Sequence, residues 1–338
     1  MSLPVIWFVL LAALLTGYAI LDGFDLGVGI LHPLARDERE RRLFVNAIGP
    51  LWDGNEVWLV TFGGALFAMF PEAYATIFSG FYLAFMLLLV ALITRAVSLE
   101  FRGKMASERW RRAWDRAFFA SSLGATLLFG VAVGNGIIGI PLDAQGVFAG
   151  GFLDLLGPYQ LLVGLLAVAL FALHGALFLY LKAEGPVQER LTTAVWHVWG
   201  AFLTLYLLVT IYTLLVVPEA ADNFRHHPWA GIVLVLNVLA IAYVPRALFL
   251  RRYGRAFAAS TLTIACLVFL FAMAVFPTIL HARNDPTLSW TIYNAASSPK
   301  TLTIGLIIAA IGMPFVLTYT AIVYWTFRGK VRLDPNSY

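Results

Sequence analysis

The chain has 338 residues, of which 61% are hydrophobic and only 12% are charged; its mean hydropathy is +0.83 and its formal net charge is +4. A soluble domain carries about 25% charged residues, so the composition excludes a soluble globular protein and predicts a polytopic membrane protein. The single cysteine, Cys266, excludes a disulfide within the chain and argues against a thiol-ligated metal centre.

Nine apolar stretches are long enough to cross a bilayer, which takes about 20 residues. In chain order they are 4–31, 51–70, 73–94, 117–140, 156–181, 194–217, 229–250, 257–280 and 301–327. The first lacks a basic leading region and a small-residue cleavage site, so we interpret it as a retained helix rather than a signal peptide. The predicted fold is all-α, with one membrane domain over residues 1–338.

Basic residues orient these nine predicted spans. If the N-terminus lies outside, all but three of the 23 Lys and Arg residues fall in segments that face the cytoplasm. The exceptions are Arg225, Arg283 and Lys300. This asymmetry follows the positive-inside rule and predicts a periplasmic N-terminus and a cytoplasmic C-terminus. Two charged segments on the cytoplasmic side, "RDERERRLF" and "SERWRRAWDRAFF", are predicted to anchor the protein at the interface.

Four acidic residues lie inside or at the cytoplasmic ends of the first two predicted spans. The first span contains "AILDGFDLGVGIL", which places Asp22 and Asp25 about 9–14 Å from its cytoplasmic end at 1.5 Å per residue. The second span begins "LWDGNEVWLV", with Asp53 and Glu56 also three residues apart. The two antiparallel helices therefore bring four carboxyl groups toward the same leaflet, and Arg95 at the end of the third span is the predicted partner.

Two interpretations of this acidic cluster compete. Carboxylates inside a membrane are costly, and they are usually paired or protonated. The acids could form helix caps and interhelical salt bridges with Arg95. Alternatively, they could relay protons inward from the cytoplasm, assisted by the neighbouring Trp52 and Asn55. The concentration of four acids on two helices favours proton handling.

The histidines do not form a convincing haem site. Only His174 and His197 fall within predicted spans, and their depths differ by about 7 Å, whereas a pair of axial ligands needs matched depth on facing helices. We therefore predict structural or relay roles for these two residues, and no iron, copper or zinc site in this chain.

Five motifs occur in order between residues 16 and 140: "LDGFDLGVGIL", "LWDGNEVWL", "GGALFAMFP", "FSGFYLAFM" and "ERWRRAWDRAFF". Together they resemble subunit II of the cytochrome bd-type quinol oxidases. The resemblance continues through "AMAVFP", "NAASSPKTL" and "TYTAIVYW". The short outer loops resemble those of the compact, cyanide-insensitive branch.

The resemblance implies nine spans arranged as two four-helix bundles (1–140, with the acidic cluster, and 156–281) plus a ninth helix over 301–327. It implies a heterodimer in the bacterial inner membrane with a haem-bearing subunit I, which holds haem b and haem d. The complex would oxidise quinol, reduce dioxygen to water and generate a proton gradient. Subunit II would hold no haem, although some relatives carry a structural quinone or small single-helix accessory subunits. No nucleic acid is expected as a partner.

The resemblance also implies roles for particular residues. Asp53 matches the acid of the "WDGN" motif, and Asp25 matches the second acid of "DGFD"; both positions are associated with proton uptake in the family. Asp22 is the first acid of "DGFD", and Arg95 matches an arginine that closes the third helix. Glu56 stands at a variable motif position, so its role rests on the helix-face argument alone. A proton-coupled transporter and a purely structural partner subunit remain the alternatives.

Overall fold

The computed structural model describes residues 2–333, which form twelve α-helices and one small antiparallel sheet. The helices are α1 (Leu3–Leu31), α2 (Glu38–Ile48), α3 (Trp52–Met69), α4 (Pro71–Gly80), α5 (Tyr82–Phe101), α6 (Glu108–Ile138), α7 (Pro158–Lys182), α8 (Pro186–Val216), α9 (Asp222–His226), α10 (Gly231–Phe249), α11 (Tyr253–Val275) and α12 (Pro299–Thr326). The strands are β1 (Thr278–Leu280) and β2 (Trp290–Thr291).

Eight of the helices in the described part of the chain are long and apolar enough to cross a membrane: α1, α5, α6, α7, α8, α10, α11 and α12. Helix α3 occupies the predicted second span but is not among them. It has 18 residues, and its first turns carry Asp53, Asn55 and Glu56. These polar residues lower its hydropathy, and they also form part of the acidic cluster.

Two predicted span boundaries were wrong. The predicted third span, 73–94, includes the end of one helix and the start of another, because α4 ends at Gly80 and α5 begins at Tyr82. Helix α5 then continues past Arg95 to Phe101, since this arginine is paired inside the protein. The predicted eighth span ends at Val275 rather than 280, where Pro277, which has no N–H to donate, precedes strand β1.

The two charged cytoplasmic segments adopt different structures. The first forms the separate helix α2, which Asp37 caps by accepting a hydrogen bond from the Glu40 N–H at 2.8 Å. The second is not separate, because it forms the first turns of the long helix α6. Side chains of α2 reach neighbouring helices, as the ion pair between Glu40 and Arg190 of α8 illustrates.

Helix α1 lies at the centre of the fold, where it contacts α3, α6, α7, α11 and α12. Its closest approach is to α7, at the glycine pair Gly27 and Gly175. A Cβ atom on Gly27 would lie 1.9 Å from the carbonyl oxygen of Phe171, and one on Gly175 would lie 2.5 Å from the Gly27 carbonyl carbon. The small residues of "DGFDLGVG" therefore permit backbone contact between helices. By contrast, no described atom lies within 4 Å of a Cβ added at Gly63 or Gly64.

We expect Gly27→Ala to lower the free energy of unfolding by about 3 kcal/mol, because the added methyl group meets backbone that cannot move aside. The measurement is the thermal midpoint of the purified protein. Gly200→Ala in α8 is the matched control, since nothing described lies within 4 Å of its added Cβ. Equal midpoints for the two variants would contradict the tight α1–α7 contact.

The helix ends that carry most of the basic residues meet at one end of the molecule, which we call the basic end. There the imidazole of His32, after α1, lies 2.6 Å from Asp115 of α6, and the Lys182 amine at the end of α7 donates to the Phe327 carbonyl oxygen at 2.6 Å. At the opposite end, the Ile140 N–H donates to the His281 carbonyl oxygen at 3.0 Å, and the small sheet packs on α4.

Candidate functional site

A buried arginine joins three helices at the acidic cluster. The Arg95 side chain from α5 is completely buried, and its Nη1 atom donates to Oδ1 of Asp22 on α1 at 2.6 Å. Its Nη2 atom donates to Oε1 of Glu56 on α3. The planar fork of a guanidinium can engage two carboxylates at once. Arg95 therefore links α1 and α3 through their acids.

Asp25 is held by a different set of contacts. Asn55 of α3 donates to Oδ2 of Asp25 at 2.7 Å and to the Leu21 carbonyl oxygen at 3.2 Å. The Tyr324 hydroxyl of α12 in turn donates to Oδ1 of Asn55 at 3.0 Å. The hydrogen bonds thus run from the last helix through α3 to the first helix. Tyr324 was not predicted as a site residue. It lies 269 positions from Asn55, in the "TYTAIVYW" segment, which contributed only to the family resemblance.

Three buried polar atoms of the cluster have no hydrogen-bond partner among the described residues: Oδ2 of Asp22, Oδ1 of Asp25 and Nε of Arg95. Buried polar groups in proteins nearly always have a partner, and ordered water supplies it where protein atoms do not. Both aspartates therefore keep an oxygen that can accept a hydrogen bond from water inside the protein.

The acids differ in their exposure to the surroundings. Asp53 is exposed in the first turn of α3, and the Glu56 side chain, one turn further along, is 26% exposed. Asp22 and Asp25 are fully buried. Trp52 packs at the edge of the main apolar core. The structure thus gathers Asp22, Asp25, Glu56, Asn55 and Arg95 into one cluster and leaves Asp53 at the surface beside Glu56.

The charges of this cluster do not balance. The cluster contains three carboxyl groups, those of Asp22, Asp25 and Glu56, but one guanidinium, which pairs with Asp22 and Glu56. Full ionisation would leave two uncompensated negative charges in a largely buried volume, which is electrostatically costly. The cluster can therefore hold a proton on one of its carboxyl groups, which is the chemistry that a proton relay needs.

A second ionic network at the basic end was not predicted from the sequence. Asp115 of α6 accepts from the Arg102 Nε at 2.6 Å as well as contacting His32, and Arg102 also pairs with Glu38 of α2 at 2.8 Å. The residues of this network lie far apart in sequence, so no local motif predicts that they pair. The network links the ends of α1 and α5 with α2 and α6.

The buried histidine of α7 is fully engaged by protein atoms. The Nδ1 atom of His174 lies 2.6 Å from the Ser260 hydroxyl, and its Nε2 atom lies 3.1 Å from the Ile20 carbonyl oxygen. The ring stacks on Phe257 with centroids 4.6 Å apart. This geometry fits a structural role, which is one of the two roles predicted for this residue. His281 lies outside the spans, and burial lowers its pKa.

Comparison with known protein families shows which family this chain belongs to. The family model described as "Cytochrome bd terminal oxidase subunit II" matches residues 3–327. The chain belongs to this family. This membership confirms the resemblance inferred from the five motifs, and it favours the oxidase subunit over the transporter alternative.

Curated relatives of the bd oxidase subunit II family cover almost the whole chain. "Cytochrome bd-I ubiquinol oxidase subunit 2" of Escherichia coli (strain K12) is 35% identical, with 96% of this chain and 94% of that protein covered. "Cytochrome bd ubiquinol oxidase subunit 2" of Bacillus subtilis (strain 168) is 33% identical over 100% of this chain and 99% of its own length.

The fold is also similar to a solved structure. The bd oxidase of Geobacillus thermodenitrificans contains a chain that superposes with a TM-score of 0.80 at 22% identity, covering 97% of this chain and 99% of that chain. Together with the eight apolar helices, family membership identifies a multi-pass protein of the bacterial inner membrane.

Proposed function

We propose that this chain is the haem-free subunit II of a cytochrome bd-type quinol:oxygen oxidoreductase, in which it supports a haem-bearing subunit I. Family membership and the ubiquinol oxidase names of its curated relatives support this function. In the finer arrangement, the chain crosses the membrane nine times and its N-terminus lies outside. The nine spans are the eight long apolar helices and α3. Contacts of α1 with α3 and α6, and of α7 with α8 and α11, support two four-helix bundles.

We assign the haems b and d to the partner subunit. Both ring nitrogens of His174 are engaged by protein atoms, so neither could serve as an axial haem ligand without the loss of those contacts. A structural quinone and small accessory subunits remain predictions from the resemblance.

The second part of the proposal is a proton-uptake path from the cytoplasm. The observation that carries it is the gradient of exposure from Asp53 through the 26% exposed Glu56 to the fully buried Asp22 and Asp25. A path of this kind needs a group at the surface that collects protons and buried groups that accept them in turn.

Each residue has a distinct task in this path. Asp53 collects a proton from water at the basic end and passes it toward Glu56. Arg95 does not release its own proton, so it positions Glu56 and Asp22 and balances part of their charge. Asp25, oriented by Asn55, keeps its Oδ1 atom free for a water-mediated step toward the partner's oxygen-reducing site. Trp52 packs beside the entrance.

A purely structural subunit is the second candidate function, and the ion pairs of Arg95 with Asp22 and Glu56 favour it. Such pairs would hold α1, α3 and α5 together whether or not protons move. The two functions differ at Asp53, which forms no ion pair with any residue between 2 and 333. A structural role predicts that this residue is dispensable.

We therefore expect Asp53→Asn to leave the assembled complex and its reduced absorbance spectrum unchanged and to lower quinol-dependent oxygen consumption about tenfold, since general acid–base groups contribute at least that much. The loss should grow as the pH rises, because fewer protons then reach the path directly from water. Glu108→Gln is the matched control, as Glu108 is an exposed acid in the first turn of α6 at the same end. Normal turnover in a fully assembled Asp53→Asn complex would contradict proton uptake through Asp53 and favour the structural role.

A further inference from the structure

A basic groove lies apart from the acidic cluster. It is open to the surroundings, has a volume of about 480 Å³, and runs between the end of α7 and the turn that joins α10 to α11. Arg251, Arg252 and Arg255 line it, together with Tyr180 and Tyr253. We call it the arginine groove. Nothing in the proton path uses these residues.

The charges of the arginine groove are not neutralised within the described chain. All three arginines are exposed, and none forms an ion pair with an acidic residue in the part of the chain that the structure describes. Lys182 and Lys330 lie beside the groove. Their amines donate to the backbone carbonyl oxygens of Phe327 and Ala183, at 2.6 and 2.7 Å. Those contacts orient the amines but leave their charges uncompensated.

The floor of the groove is ordered by packing. The rings of Tyr180 and Tyr253 stack with centroids 3.4 Å apart, and the Tyr253 hydroxyl lies 3.2 Å from the Thr192 hydroxyl of α8. Lys330 also lies over the Tyr180 ring at 5.9 Å. A stacked aromatic floor joins the end of α7 to the start of α11 and holds the arginine-bearing turn in one position.

Exposed apolar side chains adjoin the groove. Phe249 and Leu250, the residues directly before Arg251, are 83% and 45% exposed. At the end of a membrane-spanning helix, such residues contact acyl chains, while the arginines that follow them lie at headgroup level. We call Phe249 and Leu250, which directly precede the guanidinium groups of the groove in the chain, its apolar border.

We propose that the arginine groove binds a phosphate group, and that its source is the headgroup of an anionic phospholipid whose acyl chains lie against Phe249 and Leu250. Guanidinium groups bind phosphate through paired N–H donors. Three of them around one open groove favour a headgroup with a net negative charge over a zwitterionic headgroup, whose ammonium group they repel. The apolar border distinguishes a lipid from a free anion.

The test is binding of fluorescently labelled phosphatidylglycerol to the complete detergent-solubilised oxidase complex. We expect the triple variant Arg251→Gln, Arg252→Gln, Arg255→Gln to weaken this binding about 100-fold, since each basic residue near an anionic lipid surface contributes roughly fivefold. The matched control, Arg225→Gln, Arg283→Gln, Lys300→Gln, removes the same charge from exposed positions at the opposite end of the molecule. It should change binding less than about twofold.

Two further measurements decide between the sources and guard against a folding defect. A triple Arg→Lys variant at the groove keeps the charge but loses the paired N–H donors, so it should bind more tightly than the Gln variant and more weakly than the wild type. Competition by unlabelled phosphatidylglycerol, but not by inorganic phosphate at the same concentration, supports the lipid; equal competition by inorganic phosphate overturns the lipid source. Equal weakening by the groove and control variants, or no binding to the wild-type complex, overturns the site itself.

Discussion

Replacement of Arg95 by Met should have the largest effect on stability of any single change at the acidic cluster. It leaves Asp22 fully buried and Glu56 largely buried without their shared cation. Removal of one partner from a buried ion pair costs about 3–5 kcal/mol, because the remaining charge loses its compensation. We expect a large fall in the thermal midpoint and in the yield of assembled complex.

Variants with compensating changes test the cause of that loss. Adding Asp22→Asn and Glu56→Gln to Arg95→Met removes the uncompensated charges, so this triple variant should recover much of the stability. Arg95→Lys should be intermediate, since one ammonium group cannot reproduce the two-pronged contact with both acids. If Arg95→Met alone assembled with an unchanged midpoint, the cluster would not be the joint between α1, α3 and α5.

The second large effect concerns turnover rather than stability. We expect Asp25→Asn to assemble normally, because a carboxamide oxygen can still accept the hydrogen bond from Asn55, and to lower oxygen consumption by tenfold or more. The measurement is oxygen consumption per assembled complex, with Asp25→Glu as a variant that restores an ionisable group. Recovery of activity by Glu, but not by Asn, is the signature of proton transfer.

Asp22 provides the contrasting case on the same helix. It lies three residues earlier and pairs with Arg95 rather than Asn55. Asp22→Asn should therefore lower the thermal midpoint more than Asp25→Asn does, because it weakens an ion pair. Equal effects of the two substitutions on both stability and turnover would contradict the separate tasks assigned to the two aspartates.

The acidic cluster holds helices together through ion pairs and also contains the acids of the proposed proton path. Arg95 holds two acids that come from different helices, and the proposed path uses acids of the same group. Charges inside a membrane protein are costly unless paired, so the pairing that positions the acids also permits them to exist there. An unequal number of acids and bases then allows the cluster to take up a proton.

Much of the architecture was predictable from local patterns. Apolar length predicted nine spans, because a bilayer imposes a minimum number of apolar residues. Eight of them correspond to helices of the described chain that are long and apolar enough to cross a membrane. The predicted span boundaries were wrong where a tertiary contact overrides the local sequence pattern. The predicted third span ended at residue 94, just before Arg95, whereas burial of the Arg95 side chain in an ion pair lets α5 continue to Phe101.

The sequence by itself determined that the chain is a membrane protein, which family it belongs to, and which acidic residues lie inside the first two predicted spans. Composition, span length and ordered motifs are all properties of neighbouring residues. Only the tertiary structure decided which acid meets which partner. Arg95 pairs with Asp22 and Glu56, while Asp25 depends on Asn55 and, through it, on Tyr324. Side-chain contacts between distant helices depend on how the helices pack, and here that packing depends on the backbone approach of Gly27 to Gly175. The arginine groove likewise exists only because folding brings the end of α7 against the turn between α10 and α11.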